Sequence, residues 1–416
     1  SLKHMTFVQY EITFYSNIYV FILQAIILGD YMSENKIRRK FLTKLAAFGG
    51  AGAAVGLAGC GVGSNSQNNQ STTQSSANDY PEINLKFQGG FPAKDPLFDI
   101  ALDVYGFIEK LSEGKIKVEL LPSGAVVGAL DQADAVHKGV LDGSHAVPAY
   151  WYGKNVALSL FGTGPCFGHD ANTVLAWMEY GGGRELYEKM YSEVLGLDVY
   201  PVTYGAMPTQ PLGWFKKEIK NADQFKGLKY RTVGLAIDVF KNMGASVVAL
   251  PGGEIIPALE RGVIDAAEFN NPASDLSLGF PDVAKVCMVK SYHQPSEFFE
   301  ILINKKKWEE MPEHYRNIFK IAAKAASAQM SWKTLNNYSE KFVQMRDEMG
   351  VKFVETPKDV LKAQLNAWDK IVEERSKDNE FFGEIIESQK TFMKRVVDYQ
   401  TTFIADSKLA FDHYFK

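Results

Sequence analysis

Four polar residues in the middle of the chain have types and settings suited to holding a charged ligand: Gln210, Arg231, Glu268 and Glu297. Arg231 follows Lys226-Gly227-Leu228-Lys229-Tyr230 and so ends a short strand, Glu268 follows the apolar step Val263 to Ala267, and Glu297 precedes the strand-like run Phe298 to Ile303. An arginine at a strand end can clamp a carboxylate with two parallel hydrogen bonds and keeps its charge at any physiological pH. Carboxylates in such places are costly to desolvate unless paired or bound to metal. A glutamine carbonyl, carboxylates and a main-chain carbonyl make an all-oxygen donor set, suited to Ca²⁺ or Na⁺ and not to zinc. Taken singly, each is equally readable as a solvated surface group. Together, at strand ends, they describe a site.

Other chemistries find no signature. The chain has no GxSxG, HExxH, Walker GxxxxGK[ST] or EF-hand pattern. Its histidines beyond residue 60, at 137, 145, 169, 293, 314 and 413, do not recur at metal spacing. Cys166 and Cys287 read as two buried thiols, and three cysteines in 416 residues exclude a disulfide-framed scaffold. A formal charge of −4, from 45 Lys+Arg and 49 Asp+Glu, leaves no footprint for nucleic acid.

The elements that must position the four residues alternate between strand and helix. Ile83 to Phe87 alternates as a strand, Leu97, Ile100, Ala101, Val104, Ile108 and Leu111 recur at helical spacing, and Ile116 to Leu120 is the next strand. Such alternation predicts an α/β fold with crossover helices. One internal echo sharpens this. Lys138-Gly139-Val140-Leu141-Asp142-Gly143-Ser144-His145 returns 123 residues later as Arg261-Gly262-Val263-Ile264-Asp265-Ala266-Ala267-Glu268. Each copy predicts a helix end, a glycine in the left-handed cap and a strand. Ligands of open α/β sheets bind beyond the carboxyl ends of strands. That places Ala149-Tyr150-Trp151-Tyr152 of one lobe and Glu268-Phe269-Asn270-Asn271 of the other at the cleft. The tail reads as helix: Thr356-Pro357 is an N-cap signal, and no Gly or Pro interrupts Glu384–Lys416, which reads equally as two core-packing helices or as a strut or helix that packs on a second copy of the chain.

The amino-terminal text is an address. Arg38-Arg39-Lys40-Phe41-Leu42 precedes an uncharged run from Leu45 that ends Leu57-Ala58-Gly59-Cys60. A basic region, a short apolar core and small residues before a cut form an export signal. The arginine pair resembles a twin-arginine signal and the last four residues a lipobox with Cys60 as the acylated residue. Met32 stands where a start is expected, which leaves 1–31 as an over-long start or a membrane-associated segment. Ser64 to Ser76 is thirteen consecutive Ser, Asn, Gln or Thr, a flexible tether. Without residues 1–60, which hold six Lys/Arg and three Asp/Glu, 39 basic face 46 acidic residues, a net of −7. The expected organisation is signal 1–60, tether 61–79 and a folded two-lobed domain 80–416. In that domain the first lobe takes 80–200 and 297–340, and the second takes 201–296 and the C-terminal helices.

From about Ile83 onward the chain resembles the solute-binding proteins of TRAP transporters, the DctP-type extracytoplasmic receptors. The resemblance is carried by Ala176 to Gly183, Gln210 to Ile219, Phe225 to Arg231, and Pro251 to Gly262 continuing to Glu268. It is strongest to the subgroup that binds 2-oxo or 2-hydroxy monocarboxylates through a cation. The resemblance implies a two-lobed periplasmic-binding-protein-like fold with a ligand cleft. It further implies that Arg231 grips the ligand carboxylate, that Gln210, Glu268 and Glu297 and the Phe269 carbonyl ligate the cation, and that Tyr150 and Trp151 form an aromatic wall. Asn270 is placed with the ligand. The subgroup often has Trp where this chain has Phe269. Glu268, Glu297 and a ligand carboxylate set three negative charges against Arg231, so Ca²⁺ neutralises the site and Na⁺ leaves one charge; both stay open. The function implied is a lipid-anchored periplasmic receptor that delivers a pyruvate- or lactate-like acid to TRAP membrane subunits. A homodimer through the C-terminal helix is a further expectation. The rival classes are an enzyme using Glu268 as base on the same scaffold, and a surface sensor or adhesion module.

Overall fold

A computed structural model describes residues 80–416. The expected signal, Cys60 and the tether lie outside the described residues. Strands β1 (Ile83–Gly89), β2 (Ile116–Leu121), β3 (Gly143–Ala146), β4 (Val199–Met207) and β10 (Glu297–Asn304) form one sheet in the order β2-β1-β3-β10-β4. A second sheet contains β5 (Gly213–Phe215), β6 (Lys229–Arg231), β7 (Ser246–Val248), β8 (Ala266–Ala267), β9 (Val286–Val289) and β11 (Lys352–Glu355), ordered β11-β9-β5-β8-β6-β7. The two sheets are the two lobes expected. In each, three parallel strands meet one antiparallel strand that begins just after a crossover, β10 in the first and β5 in the second.

The helices around them include α1 (Pro96–Leu111), α2 (Gln132–His137), α3 (Ala236–Asn242), α4 (Gly252–Glu260), α5 (Pro272–Leu278), α6 (Glu313–Asp347), α7 (Lys358–Asp378), α8 (Glu380–Phe403) and α9 (Ser407–Phe415). In α1 the expected apolar face is buried at Leu97, Ile100, Ala101, Val104 and Ile108, while Leu111 is exposed. Asp95 caps its start by accepting from Leu97 N at 3.0 Å, and Pro96 follows at the first turn, where a missing N–H costs nothing.

The 123-residue echo is real structure. Gly139 and Gly262 take left-handed φ values of 72° and 70° after helices α2 and α4. Asp142 then docks on the strand next door: its N–H donates to Lys86 O at 3.0 Å and its Oδ2 accepts from Lys86 N at 2.8 Å. Asp265 makes the same pair with Lys229, at 2.8 and 3.0 Å. In both lobes the aspartate occupies the last main-chain pairing position before the strand, which fixes the register of β3 on β1 and of β8 on β6.

The expected lobe boundaries shift in three places. β4 belongs to the first sheet as far as Met207, where it opposes Glu297 of β10, so the first lobe does not end at 200. Pro208 and Pro211, which cannot donate to a ladder, end it there. The C-terminal helices do not all belong to the second lobe: α7 packs on α3 of that lobe, but α8 packs on the 156–161 turn and the 171–180 helix of the first. Between them, α6 touches β4 and α1 on one side and α5 on the other, spanning both lobes. The tail is also not one helix, because Asp406 accepts from Lys408 N at 2.8 Å and starts α9 anew after Phe403. Thr356 does not cap α7; its Oγ1 donates to Val289 O at 2.9 Å, and Pro357 stands at the cap. Among the described residues no helix is long and apolar enough to cross a membrane.

Gly143 marks how tightly the echo is packed. A Cβ there would meet the Phe87 ring at 2.4 Å and Leu302 O at 2.7 Å. Gly143→Ala is expected to destabilise the protein by ~2–3 kcal/mol through overpacking, seen as a lower urea midpoint with unchanged slope.

Candidate functional site

The chain passes from the first sheet to the second through Pro208–Leu212 and returns through Lys290–Ser296. These two crossovers lie side by side: Gln210 N donates to Gln294 O at 3.2 Å, and Thr209 Oγ1 donates to Pro295 O at 2.9 Å. Gln210 is therefore held at the hinge by the main chain of the segment that leads into Glu297. The ends of β6 and β8 meet them from the second lobe, with Arg231 paired to Ala267 in parallel register and Glu268 one residue beyond.

Arg231 is buried to 1% exposure and Glu268 to 0%. The guanidinium Nη1 donates to Glu268 Oε1 and to Glu268 O, both at 2.9 Å, while Nε and Nη2 donate to Leu250 O at 2.9 and 2.7 Å. All three nitrogens of the fork thus already hold protein acceptors. The free two-pronged clamp expected from the sequence is narrowed to what Nη2 and the face over Phe269, 5.8 Å from that ring's centroid, leave available. Burial pushes the Glu268 carboxyl up to about 7 even though Arg231 pulls it down.

Glu297, 1% exposed, is less well served. It accepts from Phe298 N at 3.2 Å and Gln294 Nε2 at 3.4 Å, and among the described residues no Lys or Arg pairs with it. Burial, aided by the Glu300 and Glu268 charges, holds its carboxyl well above the usual range. The side chain lies in a recess floored by Gly162, where a Cβ would fall 1.7 Å from Oε1. A buried carboxylate without a counter-charge either takes a proton or recruits a cation.

The Gln210 amide completes the arrangement. One of its ends lies 2.7 Å from Glu268 Oε2 and 2.9 Å from Phe269 O, the other 2.8 Å from Gln294 Nε2 and 2.9 Å from Asn270 Nδ2. With nitrogen toward Glu268 and Phe269, and oxygen toward the other pair, protein partners alone satisfy it. Turned over, it sets three oxygens against one another, an arrangement that a hard cation among them would stabilise. Among the described residues no three His, Cys, Asp or Glu gather as a metal cluster, so amide and main-chain oxygens must complete any such set.

Gln210, Arg231, Phe269, Asn270, Glu297 and Tyr150 all border one small cavity, in which the centre of a water-sized sphere has ≈ 20 Å³ to move. Gly90 lets the Tyr150 ring in, since a Cβ there would stand 3.2 Å from it. Trp151 does not join them. Its indole Nε1 donates to Glu300 Oε1, beside the Tyr187 hydroxyl and the Tyr191 hydroxyl at 2.7 Å from Glu300 Oε2. The aromatic wall expected of both residues is therefore Tyr150 alone, and Trp151 anchors the turn from behind. Gln294, Phe91, Leu97, Val147 and Val233 also border the cavity, and sequence reasoning missed them. Gln294 had one signal, a polar residue in the loop just before Glu297. Cys166 and Cys287 are free thiols, the first half-buried and the second buried.

This fold has close parallels. Residues 88–378 match the model of the DctP family, bacterial extracellular solute-binding protein family 7. A monocarboxylate 2-oxoacid-binding periplasmic protein of Nostoc sp. strain PCC 7120 is 31% identical over 347 residues, 83% of this chain and 92% of that protein. A TRAP transporter solute-binding protein from Bordetella bronchiseptica, solved as a mixed-occupancy dimer with copurified calcium and picolinate, superposes with a TM-score of 0.75 at 28% identity, covering 80% of this chain and 97% of its own. One from Pseudoalteromonas atlantica with bound sodium and pyruvate gives 0.74 at 26%, covering 80% and 100%. The chain belongs to family 7 of the bacterial extracellular solute-binding proteins and is a receptor of the TRAP type. These relatives are receptors, which disfavours the alternative of an enzyme using Glu268 as base.

The Arg231–Glu268 pair makes a direct prediction. Arg231→Met leaves Glu268 buried without its counter-charge and is expected to cost ~3–5 kcal/mol, read from the urea midpoint. Adding Glu268→Gln should recover a large part of that loss.

Proposed function

We propose that the cavity captures a small 2-oxo or 2-hydroxy monocarboxylate such as pyruvate or lactate, together with Ca²⁺ or Na⁺, for delivery to TRAP membrane subunits. The observation that carries this reading is Glu297, a buried carboxylate with weak hydrogen bonds and no basic partner among the described residues, bordering the same cavity as Gln210 and Arg231. Gln210 Oε1, Glu268, Glu297 and the Phe269 carbonyl are the groups that would hold the cation. When bound, it supplies the positive charge that lets both carboxylates stay ionised and gives an anionic ligand a second anchor. Arg231 faces the ligand carboxylate with Nη2, Tyr150 and Phe269 limit its bulk, and Asn270 stands at the edge with its amide. The relatives that bind pyruvate or picolinate with sodium or calcium support the ligand class.

The finer features rest on the sequence. Cys60 is the acylated anchor, Arg38-Arg39 directs export by the twin-arginine route, and the protein works extracytoplasmically at a membrane surface through the Ser64–Ser76 tether. A homodimer through the C-terminal helices is supported by the exposed Tyr399, Phe403, Leu409, Phe411, Tyr414 and Phe415. Cys60→Ser should abolish fatty-acid labelling and release the protein from the membrane fraction; light scattering at the monomer mass would remove the dimer.

Calorimetry decides the central reading. Pyruvate should bind with calcium or sodium present and lose its heat in sodium-free buffer with chelator. Arg231→Lys, which keeps the charge but not the fork, should weaken binding at least tenfold. No heat with any small carboxylate, with or without cation, overturns the reading.

A further inference from the structure

We propose that two hydrogen-bonded clasps, one at each rim of the cleft and neither touching the ligand, hold the lobes closed, and that Tyr152 and Ser274 are positioning residues for ligand capture. This rests on the receptor reading above. None of Asp95, Tyr152, Asp238 or Ser274 borders the ligand cavity.

At one rim, Asp95 of the first lobe, which caps α1, accepts at Oδ1 from Ser274 Oγ at 2.7 Å. Ser274 lies on α5, four residues beyond Asn270, and is fixed there by Asn271, whose Oδ1 accepts from Ser274 N at 3.0 Å and whose Nδ2 donates to Ser274 Oγ at 3.1 Å. One helical turn on, Ser277 Oγ donates to Lys94 O at 2.8 Å. Asp95 and Ser274 are both wholly buried. At the other rim, the Tyr152 hydroxyl of the first lobe donates to Asp238 Oδ1 on α3 of the second at 2.8 Å. The other oxygen of Asp238 accepts from Arg375 Nη2 at 2.8 Å, so α7 of the C-terminal region shares the same acid. Asn379, just past α7, returns to the first lobe, its Nδ2 donating to Asn155 Oδ1 at 3.2 Å. Beside this clasp the lobes are in contact: a Cβ on Gly234, whose φ is 62°, would meet Thr163 Oγ1 at 2.8 Å and Ala149 Cβ at 3.1 Å.

Each clasp joins side chains whose strands belong to different sheets, so rotation about the two crossovers must break it. The cavity itself joins residues of both lobes, so ligand binding and clasp formation are coupled through closure. A receptor whose closed form is a minority when free binds with an affinity scaled by that fraction. Removing a clasp lowers the fraction without altering any ligand contact. Encounter occurs with the open form, so the loss falls on dissociation.

The test is pyruvate binding with calcium chloride by stopped flow and calorimetry, on wild type, Tyr152→Phe and Ser274→Ala. For Tyr152→Phe the expected result is a Kd raised about tenfold, ~1.4 kcal/mol, carried by koff with kon unchanged. Combining it with Asp238→Asn should add less than the two single effects summed, because both break one bond. Ser274→Ala should act the same way; if it lowers the ligand-free melting point, Tyr152→Phe, which deletes one oxygen, decides alone. Wild-type binding with koff unchanged in Tyr152→Phe overturns the clasps and leaves the receptor reading standing. Absence of wild-type binding to any small carboxylate, with calcium or with sodium, overturns both.

Discussion

The structure depends on bringing two carboxylates and one guanidinium out of water at a single place. Glu268 and Glu297 are buried as deeply as the aromatic core, yet Arg231 can serve only the first. Charge of that kind is intolerable inside one apolar core, where nothing offsets its desolvation. The fold places it where two sheets end against each other, among main-chain carbonyls and side-chain amides. Leu250 O, Glu268 O and Phe269 O all point into that junction because β6, β7 and β8 stop there together. On the proposed reading, the deficit of positive charge at Glu297 suits the site to a cation and an anion together, which would let a chain of net negative charge take up an anion.

The two lobes reach this junction by one device used twice. Asp142 and Asp265 dock identically on their neighbouring strands, so the residues three positions later, His145 and Glu268, occupy equivalent places. Their chemistry differs. His145 is buried, with burial holding its imidazole down to about 3, and shares a 2.6 Å hydrogen bond with the Tyr204 hydroxyl. One lobe spends the position on packing and the other on charge. The first lobe then contributes shape, through Tyr150 and Phe91, and one buried carboxylate, Glu297 at the start of β10, while the second contributes the ion pair of Arg231 and Glu268.

The hinge ties these halves together. Two crossovers hydrogen-bonded side by side let Gln210 and Glu297 arrive from opposite chain directions, and α6 spans both lobes behind them. The division of the C-terminal helices, α7 on the second lobe and α8 on the first, makes the tail a strap across the two lobes and not an appendage of one. It also gives Arg375 a place beside the cleft rim, far in sequence from everything it touches.

Much of this was legible in the sequence because it is local. Alternation of strand and helix, glycine caps at 139 and 262, the repeated aspartate turn and the strand-end placing of Arg231 and Glu268 all follow from short-range sterics and periodicity. What needed the tertiary structure is whatever depends on residues meeting from distant segments. Trp151 looked like a wall beside Tyr150, but a buried Glu300 more than a hundred residues away draws its indole N–H inward. Arg231 looked free, but Leu250 O and Glu268 O, which no spacing rule connects to it, already hold its fork. The first lobe ran past its expected boundary at 200 because β10 offered β4 a ladder as far as Met207. Local sequence pattern carried the alternation that builds the two lobes and the strand-end setting of Arg231 and Glu268, because both depend on near neighbours alone. Only the packing of the lobes decided which donors remain for a ligand, because a buried polar group bonds to whatever the fold brings nearest.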